Sequence, residues 1–158
     1  MIKISFEVTD APTRLIVTEL MPYPIESVWL AQTEALYVQR WWAPAGYVNV
    51  DTELSSEVGG PWRVVQRDPQ GNQFALYGKV EAFEPSEKLA ISITTEIFPD
   101  TVLHLTQDFA ERSEGTVVVS TYEFANEEEL TSYLNLGGMD RLRGASARLD
   151  ALLSQLAA

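Results

Sequence analysis

The sequence predicts an α+β fold in one domain spanning residues 1–158. The expected form is a curved antiparallel sheet of about six or seven strands wrapped around a long C-terminal helix, with two short helices after the first strand. Three observations predict it. Strand-like runs recur between residues 48 and 124, separated by short polar or Gly/Pro turns. An earlier strand, Arg14 to Met21, is cut off by Pro22 and Pro24 and followed by helical spacing. The only large apolar object outside the sheet is a stripe at helical period near the C-terminus, and a sheet with one apolar face must bury it against something.

The elements follow in order. RLIVTELM is rich in β-branched residues and reads as a strand. PIESVWLAQ carries Ile25, Val28 and Trp29 at helical spacing, with Pro24 suited to a helix start. Thr33 is expected to cap a second short helix through TEALYVQRWW, which Pro44 and Gly46 end. VNVDTEL precedes Gly59 and Gly60; PWRVVQR then meets DPQGN, a tight reversal into QFALYGKVEAFEP. SEKLAISITTEI sets Leu89, Ile91 and Ile93 against Lys88, Ala90 and Ser92, one buried side and one wet side. TVLHLTQDF and GTVVVSTYEF complete the meander. Asn126 then caps the last helix, with Glu129 completing an N-x-x-E box and Glu127 to Glu129 at the positive end of the dipole. Met139, Leu142, Ala145, Leu149, Leu152, Leu153 and Leu156 share one stripe, and Gly137 and Gly138 mark a kink, a thin spot or a break.

Charge and composition exclude several roles. Eleven basic and 23 acidic side chains leave a net charge of −12. Such a surface repels phosphate backbones and anionic lipid, so neither nucleic acid nor a membrane surface is an expected partner. There is no cysteine, hence no disulfide frame and no thiol chemistry; with no signal-peptide layout in MIKISFEVTD, a cytoplasmic location is expected.

Three stretches resemble a known family. PYPIESVWLAQTEALYVQRWWAP is similar to an opening in which a helix leads to a WW-P turn. GGPWRVVQRDPQGNQFALYGKVEAFEPSEKL is similar to a central signature of GG, a strand, a D-x-x-G turn and a closing G-x-V. GTVVVSTYEFANEEEL with GGMDRLRGASARLDALL is similar to a last strand and helix. In this order they resemble the START-like (SRPBCC) superfamily with the helix-grip fold, and within it the domain of the activator of heat-shock-protein-90 ATPase type. The resemblance implies that fold. It also implies a function among lipid, sterol, polyketide or hormone binding, cyclisation, or stimulation of a chaperone ATPase. The chain departs from the family at Leu142 and Arg143, where members often carry a Gly-Trp pair, so its cavity lining is expected to differ.

Catalytic patterns are sparse. GASAR (144–148) is not a nucleophile elbow, and GG at 59–60 lacks a phosphate-loop continuation. The one histidine, His104, faces solvent or the interior according to the register of VLHLT. Arg63, Arg67, Arg141, Arg143 and Arg148 are expected on solvated faces. The aromatic load remains, and a curved sheet gripping a helix tends to leave an apolar cavity. The expected lining is Trp42, Trp62, Phe74 and Tyr122; Leu76, Ile91 and Ile93 from strands; Met139 and Leu142 from the last helix; and His104. Of the adjacent tryptophans, Trp41 is expected in the helix core and Trp42 toward the cavity. The expected function is a non-catalytic module holding a small hydrophobic molecule, without metal or cofactor. The alternatives are a chaperone-contacting domain and a cyclase using His104, Tyr77 or Tyr122. Nothing in the sequence decides whether the chain forms a homodimer.

Overall fold

Eight strands form one antiparallel sheet in a computed structural model that describes residues 1–157. The strands are β1 Lys3–Asp10, β2 Thr13–Met21, β3 Val48–Leu54, β4 Pro61–Arg67, β5 Gln73–Glu84, β6 Lys88–Thr95, β7 Phe98–Arg112 and β8 Gly115–Glu123. The helices are α1 Ile25–Thr33, α2 Ala35–Trp41, α3 Glu127–Asn135 and α4 Gly138–Leu156. The count exceeds the expected six or seven because residues 3–10 form a strand pairing along β2, from Lys3 opposite Leu20 to Asp10 opposite Thr13. Its alternation, with Ile4 and Phe6 half-buried against exposed Lys3, Ser5 and Glu7, is the period of a strand covered on one face.

The strand order is β1-β2-β8-β7-β6-β5-β4-β3. Helices α1 and α2 carry the chain from β2 across to the far edge, where β3 starts a meander that returns to β2 at β8. Register shifts interrupt the ladders at Asn49/Asp51, Val80/Ala82 and Ile93/Thr95. Each such irregularity bends its strand and increases the local twist, which curves the sheet. Gly78 adds to this in β5: a Cβ there would stand 1.7 Å from the Ser92 carbonyl oxygen, so only glycine permits this approach of β5 to β6.

The concave face holds α4. Leu149, Leu152 and Leu153 in its C-terminal half are buried against Val28, Trp29, Val80 and Val118. Trp29 packs edge-on to Phe83 and Phe109 at centroid distances of 5.2 and 5.0 Å. A second cluster of Leu15, Val17, Phe124 and Leu130 lies toward the start of α4. The terminal helical block is two helices. Gly137 takes φ +82°, a left-handed stop that favours glycine, between α3 and α4. The α3 start follows its cap signal: Asn126 Oδ1 accepts from the Glu129 amide at 2.9 Å. Thr33 does not cap α2. It closes α1, and its hydroxyl donates to the Trp29 carbonyl at 2.7 Å, the back-bonding that a threonine inside a helix adopts.

Candidate binding cavity

Toward its N-terminal half α4 stands off from the sheet, and a cavity of about 820 Å³ occupies the gap. The residues that α4 turns to it there are small, Ala145 and Ser146, with Leu142 one turn earlier. Strands β4 to β7 supply Trp62, Phe74, Leu76, Ile91, Ile93, Leu103 and Leu105, while β8 supplies Tyr122. These positions alternate along their strands, so the curved face presents one side chain in two to the cavity.

Helix α2 and the turn after it close one side. Trp41 is 8% exposed, and its indole N–H donates to the Ala31 carbonyl at 2.7 Å, which ties α2 to α1. Trp42 meets Trp62 edge to face at 5.1 Å. Its carbonyl accepts from Asn49 Nδ2 at 2.7 Å and Gln66 Nε2 at 3.3 Å, so the turn is fastened to β3 and β4. Two neighbouring tryptophans therefore do different jobs: Trp41 clamps the helix pair, and Trp42 forms wall. Both border the cavity. Around the opening Ile97, Phe98, Val102 and Leu136 are exposed, with Glu128, Glu129 and Arg141 nearby on α3 and α4.

A compact polar group interrupts the apolar wall. Glu19 on β2 is buried, and its Oε2 accepts from the Ser146 hydroxyl at 2.7 Å. Gln107 Nε2 on β7 donates to Ser120 Oγ on β8 at 3.1 Å and to Gln32 Oε1 on α1 at 3.4 Å. All five side chains are buried and all line the cavity. Burial pushes the Glu19 carboxyl above its ordinary range, against the lowering effect of the Ser146 hydrogen bond. The Tyr122 phenol is raised well above its usual value by burial, with Tyr133 and Glu19 adding to it. Burial likewise pushes Tyr133 up to about 12, opposed by Arg141.

Eight of the ten residues expected at the cavity lie on its wall: Trp42, Trp62, Phe74, Leu76, Ile91, Ile93, Tyr122 and Leu142. Two do not. His104 sits on the outer face, half exposed, with Nδ1 2.9 Å from Glu81 Oε1, because Leu103 and Leu105 beside it point inward. Met139 packs on the second core cluster, since α4 begins only at Gly138 and its first turn leans there. Arg148 departs from the solvated face: its Nε donates to the Trp41 carbonyl at 3.2 Å, and Nη2 is buried without a hydrogen-bond partner among the described residues. Arg63 pairs outward with Asp51 at 3.6 Å and Arg143 with Asp140 at 3.2 Å. The polar group escaped sequence reasoning, although one signal was present. Leu15, Val17, Glu19 and Met21 share one phase of β2, so a carboxylate stands among three core residues.

Comparison with known proteins fits this geometry. The protein from Rhodobacter sphaeroides has a similar structure, with a TM-score of 0.88 at 21% identity, covering 98% of each chain. A Mycobacterium smegmatis protein matches with a TM-score of 0.83 at 20% identity, over 96% of this chain and 97% of that one. The AHSA1 protein from Silicibacter pomeroyi matches with a TM-score of 0.76 at 15% identity, over 90% of this chain and 98% of that one. At such identities the likeness is one of fold, the helix grip. No curated protein matches the sequence. Among the described residues, no helix is long and apolar enough to cross a membrane. The family model described as "Activator of Hsp90 ATPase homolog 1-like protein" matches residues 22–153, from the proline before α1 to the buried end of α4, and the chain belongs to that family.

Proposed function

We propose that the protein is a binding module that holds a small, mainly apolar molecule between sheet and α4. The observation that carries this is the cavity of about 820 Å³ walled by Trp42, Trp62, Phe74 and aliphatic strand residues. Small-molecule sites fall in the range of about 300–1,000 Å³ and combine apolar walls with a few polar groups. A side-chain-filled core would leave no such volume. The lack of cysteine supports a reducing, cytoplasmic setting.

Trp42 and Trp62 act as built-in reporters. Titration with aromatic, fatty-alcohol and polyketide-like compounds should change tryptophan emission at micromolar concentrations, and native mass spectrometry should retain the bound mass. Unchanged emission across the panel, with only the bare protein mass, would remove this reading. The family's name favours a second reading, a domain that touches a chaperone ATPase. Adding the protein to Hsp90 and following ATP turnover tests it, and an unchanged rate dismisses it.

A further inference from the structure

Glu19, Ser120 and Gln107 stand on adjacent strands β2, β8 and β7 and face the same side of the sheet. Val17 pairs with Ser120 and Ser120 with Gln107, so Glu19 lies diagonally across from Ser120, within reach of one small group. Ser146 and Gln32 cover this diagonal from the helices. The hydrogen-bond account is incomplete. Glu19 Oε2 accepts from Ser146, but among the described residues Oε1 accepts nothing. Ser120 Oγ accepts from Gln107, while its own proton has no acceptor there. Both residues line the cavity, so a ligand's polar group seated there can meet the open acceptor and the open donor together.

An open acceptor diagonal to an open donor is the complement of a hydroxyl, which donates once and accepts. The geometry points to an uncharged apolar ligand bearing one alcohol or phenol group, seated with its O–H on Glu19 Oε1 and its oxygen accepting from Ser120. This assignment rests on the receptor reading above and adds the ligand's polar end. A ligand carboxylate would lie beside Glu19 in a buried site on a chain of net charge −12 and would be repelled. The other titratable groups of the lining do not reverse that: Tyr122 from β8 and Tyr133 from α3 are neutral phenols, and the single cation, Arg141 on α4, is outnumbered by Glu128 and Glu129 on α3.

The test is isothermal titration calorimetry on the full chain with two matched sets. One is naphthylmethanol, methylnaphthalene and naphthoate; the other is decanol, decylamine and decanoate. Naphthylmethanol should bind roughly tenfold more tightly than methylnaphthalene, the worth of one net hydrogen bond to a carboxyl, and both acids should bind weakest. Glu19→Leu should abolish the alcohol's advantage over methylnaphthalene, and Ser120→Ala should reduce it. Equal affinity for alcohol and hydrocarbon, or decylamine outbinding decanol, would overturn the hydroxyl assignment while the receptor reading stands. No heat from any of the six would overturn both. Should Glu19→Leu not fold, the order of affinities on the unaltered protein decides alone.

Discussion

Ala145 offers a direct probe of the space beneath α4. Its side chain borders the cavity from the middle of the helix, so Ala145→Leu extends three carbons into the gap with little change in helix propensity. At about 0.8 kcal/mol per buried carbon the ceiling is about 2.4 kcal/mol. Holding a leucine in one rotamer costs about 0.5–1 kcal/mol, which leaves a gain of about 1.5 kcal/mol. For a chain of 158 residues this raises the melting temperature by about 3–6 °C. Calorimetric and urea melts of the variant against the native chain supply the numbers, and the same sample should lose affinity for any ligand found in the fluorescence screen. A destabilisation of more than about 1 kcal/mol, the mark of overpacking, would mean that the gap is closed in solution and would refute the cavity argument.

Three further outcomes follow from the buried groups and their partners. The Glu19 carboxyl is raised above its ordinary 4.5 by burial, so its contribution to stability is full below that pH and is lost as pH climbs through the folded value; Glu19→Gln should flatten this part of the stability–pH curve, and a curve unchanged by the substitution would show that the carboxyl is well hydrated. Trp41→Phe removes the donor to Ala31 and should cost about 1–3 kcal/mol in urea denaturation, from the orphaned carbonyl and the smaller ring, whereas His104→Ala on the outer face should shift stability by less than about 1 kcal/mol. Tyr133, held near 12, loses stability for the fold between its ordinary 10 and that value, so phenolate absorbance should show Tyr122 and Tyr133 ionising only as the chain unfolds in alkali; early titration of all six tyrosines would contradict their burial.

Elements were legible in the sequence where pattern and punctuation agree. Pro22, Pro24, Pro44 and Gly46 bracket α1 and α2, and Asn126 with Glu129 announces α3, because each acts through its immediate backbone. The alternation in β1 is a weaker signal than that of the inner strands, because this edge strand half-covers Ile4 and Phe6 and leaves Val8 exposed. The cavity wall was legible because strand alternation places Ile91, Ile93 and Leu76 on the face that the terminal helix must cover. The fate of His104 turned on register, which alternation alone leaves open until a neighbour strand supplies the phase. The polar diagonal was not legible. It joins residues from β2, β7, β8, α1 and α4, and only the closure of β2 on β8 brings them together.

That closure also sets an order of events during synthesis. Leu15 cannot meet Tyr122 until more than a hundred further residues have left the ribosome, roughly the separation of the two in sequence. The first strands must wait as a lone hairpin, which is marginal in water without a third strand or a covering helix. Folding of this protein therefore waits on a pairing of high contact order, and the β2 edge stays open to stray strand pairing until β8 exists to cover it.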